Sequence, residues 1–148
     1  MQTSHFVSRA PANSMILGEH SVVYGQAAIA CGLEQWLEID WTPLPTANIE
    51  ITSSLGSFTT ALNPIQIDAK LTFICHALQA FQTPLSAQQQ GWKLEVHSEF
   101  SSTIGLGSSA AVLAASLVGL NHLCQTHYNL TQLWQIGKQI IVDIQGRG

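Results

Sequence analysis

The stretch "WKLEVHSEF", residues 92–100, puts Trp92, Leu94, Val96 and Phe100 on one side and Lys93, Glu95, His97 and Glu99 on the other. Period-two alternation of this kind marks a strand with one face in a core and the other in water. Leu33, Leu37, Ile39 and Trp41 alternate similarly with Glu34, Glu38 and Asp40, and "IEIT" from Ile49 resumes the pattern after Pro43 and Pro45. An early antiparallel sheet is predicted. Leu71, Ile74, Cys75, Leu78 and Phe81 fall instead at helical spacing, with Pro84 closing the segment. From Gly107 to Gln125 the alanines, leucines and valines predict a helix apolar on most sides and therefore buried. A last helix starts at Thr131 as N-cap and carries Leu133, Ile136, Ile140, Ile141 and Ile144 along one stripe. Strands early and helices late predict one two-layer α+β domain over residues 1–148, an antiparallel or mixed sheet packed on helices.

Composition narrows the function. Hydrophobic residues make up 46% of the chain and charged residues 9%, enough apolar material for one domain core. Five Lys plus Arg and a net charge of −4 leave no basic patch for a nucleic acid backbone. Cys31, Cys75 and Cys124 are too widely spaced for a metal-binding pair and odd in number for a disulfide framework. They read as buried free thiols of a cytoplasmic protein. No signal-peptide core opens the chain, and the most apolar stretch, Ala110 to Leu120, is too short to cross a membrane. His122 and His127 share no metal-ligand spacing, and no G-x-S-x-G elbow supports a serine hydrolase.

Two stretches carry candidate chemistry. In "IGLGSSAA", residues 104–111, glycines meet strong helix formers immediately after the 92–100 strand. Gly105 and Gly107 permit positive φ and the close approach of an outside group, and the first N–H groups of the following helix have no helical partner. A phosphate fits such a position, with Ser108 and Ser109 adding hydroxyls. The plain alternative is a tight turn in which one serine caps the helix. The pattern is neither the Walker G-K-[ST] loop nor G-x-G-x-x-G. In "APANSMILGEHSVVYG", residues 10–25, two apolar segments flank Gly18, Glu19 and His20, which alone would read as a hairpin with a polar turn.

Together, "GEHSVVYG" and "IGLGSSAA", in this order, resemble the motifs of the GHMP kinases, closest to their mevalonate kinase branch, and "QGRG" at 145–148 resembles the approach to that family's third conserved region. The resemblance implies the N-terminal, ATP-binding domain of a longer kinase, with the fold of ribosomal protein S5 domain 2. It implies ATP and Mg²⁺ as cofactors and phosphotransfer to the hydroxyl of mevalonate or a related small molecule, while the charge balance and the short apolar stretch already predict neither a nucleic acid nor a membrane as partner. By the same resemblance Gly105, Leu106, Gly107, Ser108 and Ser109 wrap the ATP phosphates and Ser98 lies near the nucleotide. Ser109 gives its hydroxyl to Mg²⁺, and Glu19 and His20 face the acceptor.

The sequence departs from that family in four places. Asn13 stands where mevalonate kinases carry lysine, a feature similar to diphosphomevalonate decarboxylases. Ser101, Ser102, Thr103 and Ile104 replace the Pro-Gly approach to the loop, which implies a reshaped approach. The metal-binding glutamate of the family falls near Ile141, with Asp143 reading as a solvated residue. A Ser-Gly-x-Asp segment and a C-terminal domain, which the family pattern puts after Gly148, are not in this sequence. The expectation is a kinase half that is inactive alone, with its junction surface covered by a second copy or by the missing half. The alternatives are a phosphomevalonate kinase or diphosphomevalonate decarboxylase type, and a vestigial nucleotide-binding fragment.

Overall fold

The computed structural model describes residues 4–146; Arg147 and Gly148, the end of "QGRG", lie outside the described residues. Five strands, β1 (Phe6–Leu17), β2 (Ile29–Leu44), β3 (Asn48–Ser53), β4 (Gly56–Ala61) and β5 (Gly91–Ser98), form one sheet in the order β1-β2-β5-β3-β4. Four helices, α1 (Thr72–Ala80), α2 (Gln82–Ala87), α3 (Ser108–Cys124) and α4 (Leu130–Gln145), complete the α+β domain. The sheet is mixed: β3 and β5 run parallel, and the other neighbours antiparallel. The predicted strands at 33–41, 49–52 and 92–100 are all present, β2 continuing through Pro43 to Leu44.

One face of the sheet is the core. Leu37, Ile39 and Trp41 of β2, Ile49 and Ile51 of β3, and Trp92 and Leu94 of β5 are all buried, and α3 packs on the β1 and β2 part of this face. That close approach requires small residues on both sides. Ser8, Ala10 and Ala12 are the inward residues of β1, and a Cβ on Gly119 of α3 would come within 2.7 Å of Trp41 Nε1. Trp41 Nε1 donates to Ser8 Oγ at 2.9 Å inside this layer.

Four local expectations are corrected. Pro84 does not end the helical region. It sits at the third residue of α2, in the first helical turn, where a missing N–H costs nothing. The N-cap of α4 is Asn129 rather than Thr131, because Asn129 and Gln132 form a reciprocal capping box. The hairpin read at 10–25 is real, but its strands are β1 and β2, and residues 18–28 between them include a short 3-10 turn at Ser21–Tyr24. Of the three thiols, Cys75 is buried, Cys124 is partly buried and Cys31 is exposed.

Candidate functional site

β5 delivers the chain to the glycine loop through two hydroxyl-built turns. Ser98 Oγ donates to the Phe100 carbonyl at 2.6 Å and accepts the Phe100 N–H at 3.2 Å. Ser101 Oγ lies 2.7 Å from Thr103 Oγ1 and accepts the Thr103 N–H at 3.1 Å. The Ser-Ser-Thr approach thus makes its own backbone bonds where the family pattern has Pro-Gly. Gly105 and Gly107 then adopt φ of +68° and +71°, a region that residues with a Cβ enter at a cost.

Gly107 is the N-cap of α3, and no side chain caps this helix. The capping role considered for Ser108 or Ser109 is therefore not realised. The helical ladder opens with the Ala111 N–H donating to the Gly107 carbonyl, so the amides of Ser108, Ser109 and Ala110 precede any helical partner. Those donors and the helix dipole make the terminus attractive to an anion.

Asn13 belongs to the same construction. Its backbone N–H donates to the Leu106 carbonyl at 3.1 Å, which docks the loop on β1, and its side chain fills the space where a Cβ on Gly107 would go, 2.7 Å from Oδ1. Position 13 is thus in contact with the loop and electrically neutral.

Beside the loop lies a cavity of about 1070 Å³. Ser98, Ser101, Ser102, Ser108 and Ser109 line one part, and Leu71, Ile74, Val112 and Ile144 supply apolar wall. An apolar enclosure with a few convergent polar groups is the usual form of a small-molecule site. Most charged groups on the wall are occupied. Glu95 takes the Lys93 ammonium at 2.7 Å, which holds that lysine above its ordinary range, Glu99 accepts the Trp36 N–H at 2.8 Å, and His97 lies 3.4 Å from Asp40.

Ser98, Ser108 and Ser109 are thus gathered at one cavity, while Asn13, Leu106 and Gly107 meet just beside it. Gly105 does not line the cavity. Glu19 and His20 occupy the exposed tip beyond β1 and line no part of it. Two parts of the wall went unread in the sequence: Lys70, and the end of β3 at Thr52 and Ser53 with the following turn at Ser54 and Leu55. The only sequence signal for Lys70 is the scarcity of cations in this chain.

Among the described residues no group of three His, Cys, Asp or Glu side chains converges to hold a metal ion. Ser109 offers one neutral oxygen, Ile141 packs against the core, and Asp143 is exposed and accepts from Gln139 Nε2 at 2.8 Å. Mg²⁺ draws its ligands from carboxylates, water and substrate phosphates, so these side chains do not form a magnesium site by themselves. No helix among the described residues is long and apolar enough to cross a membrane.

Comparison with known proteins bears directly on this loop and cavity. Residues 72–148 match the family described as GHMP kinases N terminal domain. The mevalonate kinase of Archaeoglobus fulgidus is 28% identical over 141 residues, covering 95% of this chain and 46% of the relative. That of Pyrococcus horikoshii is 25% identical over 154 residues, covering 96% and 46%. The chain spans about half the length of the curated relatives it matches. The crystal structure of the Methanococcus jannaschii mevalonate kinase superposes with a TM-score of 0.83 at 22% identity, over 100% of this chain and 49% of that one. A Streptococcus pneumoniae phosphomevalonate kinase, in complex with phosphomevalonate and AMPPNP, gives 0.73 at 16% identity, over 95% and 43%. The architecture is the ribosomal protein S5 domain 2-like fold expected from the sequence.

Proposed function

The chain belongs to the GHMP kinases, and from that premise we propose that it is the ATP-binding half of a mevalonate kinase-type phosphotransferase. ATP occupies the cavity, with its phosphates at the start of α3. The amides of Ser108, Ser109 and Ala110 take phosphate oxygens. Gly105 and Gly107 give the backbone the turn that brings these donors forward, and Ser98 sits on the wall where the nucleotide body passes. Mg²⁺ arrives with the nucleotide and meets the Ser109 hydroxyl. The acceptor, mevalonate or a close relative, is met by Glu19 and His20 at the β1–β2 tip.

One observation carries this reading: an uncapped α3 N-terminus, begun on a positive-φ glycine, opens onto a cavity of about 1070 Å³. Phosphoryl transfer also needs a positioning or basic group at the acceptor and charge neutralisation at the moving phosphoryl group. Position 13 is neutral, and the aspartate of the family pattern is not in residues 1–148. This stretch alone therefore binds nucleotide weakly and does not turn over. Asn13 also supports a second reading, the diphosphomevalonate decarboxylase branch, which is similar at this position.

Calorimetry with ATP and Mg²⁺ on the chain and on Gly107→Val tests the nucleotide reading. Measurable binding by the first and none by the second is expected; equal binding by both removes the loop from the site. In a coupled assay with mevalonate the expected rate is background. Robust turnover that disappears in Ser109→Ala would overturn the division of labour between this half and the rest.

A further inference from the structure

The 148 residues contain five cations: Arg9, Lys70, Lys93, Lys138 and Arg147. Arg9 lies over the Trp36 ring at 4.0 Å, Lys93 pairs with Glu95, and Lys138 lies 5.2 Å from the Trp134 ring centroid. Arg147 is outside the described residues. Lys70 is thus the one cation among the described residues with neither a carboxylate nor an aromatic partner, and it lines the cavity. Its nearest acid in sequence does not quench it, because Asp68 Oδ1 accepts the Lys70 backbone N–H at 2.9 Å. The Asp68 contact fixes the main chain of Lys70 and leaves the ammonium free.

The helices set the direction in which that charge acts. Past the C-terminal end of α1, Phe81 meets Tyr128, past the C-terminal end of α3, with ring centroids 6.0 Å apart. Gln88 Nε2, just after α2, donates to the Leu123 carbonyl at 2.9 Å at that same end. At the opposite end, Leu71, the N-cap of α1, and Thr72, its first residue, line the same cavity as Ser108 and Ser109 of α3. The two helices therefore run in the same direction and turn their positive ends toward the same space. Lys70 stands at the start of one of them, facing the cavity that receives the other.

We propose that Lys70 supplies the positive charge for the phosphates of a nucleoside triphosphate bound in this cavity, the charge that neutral Asn13 cannot provide. The proposal rests on the nucleotide reading above and adds a specific phosphate-contacting residue to it. Lys70 precedes the 72–148 family match and belongs to the cavity wall rather than to the glycine loop.

Titration with ATP at a series of salt concentrations, on the chain, Lys70→Met and Lys70→Arg, tests it. Lys70→Met is expected to bind ATP about tenfold or more weakly, the worth of one charged contact to a phosphate oxygen, and to show a shallower loss of affinity with salt. Lys70→Arg is expected to retain the affinity and the salt dependence. The exposed side chain leaves the fold alone, so urea midpoints of all three should coincide. Unchanged ATP affinity in Lys70→Met, or a loss with the salt dependence intact, overturns the proposal. If ATP binding disappears in Gly107→Val but survives in Lys70→Met, the nucleotide reading stands and this one falls. No binding by the unaltered chain overturns both.

Discussion

Gly105 and Gly107 look interchangeable in the sequence, and the structure predicts that they are not. Both have positive φ, +68° and +71°, so alanine at either carries the left-handed penalty of about 1–2 kcal/mol. At Gly105 nothing lies within 4 Å of a new Cβ. At Gly107 the Cβ would come 2.7 Å from Asn13 Oδ1, and Asn13 is itself tied to the loop through its N–H bond to Leu106. Moving that side chain adds the cost of overpacking, about 1–3 kcal/mol. Gly105→Ala should therefore cost about 1–2 kcal/mol and Gly107→Ala about 2–5 kcal/mol, a substantial part of the stability of an ordinary domain. With a urea slope of about 2 kcal/mol per molar, the midpoints fall by about 0.5–1 M and about 1–2.5 M. The cause of the difference is separable. Asn13→Ala deletes the three side-chain atoms in the way, so the double variant Asn13→Ala/Gly107→Ala should recover the steric part and leave only the backbone part. Equal midpoints for the two glycine variants, or no recovery in the double variant, would refute the claim that Asn13 is packed on the loop.

Two further outcomes follow from the core and the thiols. Ser8→Ala leaves buried Trp41 Nε1 without an acceptor, and a loss of about 1–3 kcal/mol is expected in urea denaturation; an unchanged midpoint would mean that the bond adds nothing. Cys31 should react with a thiol reagent in the native protein while Cys75 and Cys124 wait for unfolding, since desolvation raises both, Cys124 to about 11 from an ordinary value of 9.0. A folded-state value above the unfolded one means that these protonated thiols favour the fold fully below pH 9 and lose that contribution as pH climbs toward 11. Midpoints measured across that window should decline, and less so in Cys124→Ala.

What the sequence made legible depends on how each element buries itself. β2, β3 and β5 bury large side chains against polar neighbours, so alternation revealed them. β1 buries Ser8, Ala10 and Ala12, and β4 is built from Gly56, Ser57, Phe58 and threonines, so neither carries a hydrophobic rhythm. The quiet face of β1 has a physical cause. α3 approaches closely enough for Gly119 to face Trp41, and larger inward residues on β1 would hold that helix away. The same packing hides the signal and makes the domain. Asn129 was readable in principle, since the pair Asn129 and Gln132 has capping-box spacing, but Thr131 is also a competent cap and only the backbone chooses between them.

The candidate site divides along the same line. Its phosphate-facing part is local, with strand, glycines and helix start consecutive from Trp92 to Ser109, and a local construction is written in sequence order. Its cavity is not local. The wall takes residues from β2, the end of β3 and the turn after it, the start of α1, β5, α3 and α4, and Lys70 and Ser108 line the same cavity because the starts of α1 and α3 lie at one end of the domain. No spacing rule connects positions 70 and 108, so a cation that compensates for a neutral residue at position 13 has no sequence signature. Charge supplied across helices is a tertiary property: keeping the glycine loop preserves the recognisable motif, while the neutralising group is free to come from another element. A comparison of position 13 alone would therefore misjudge the electrostatics of this site, because the helix starts of α1 and α3, the Lys70 ammonium and the Glu95 and Glu99 carboxylates all border the one cavity.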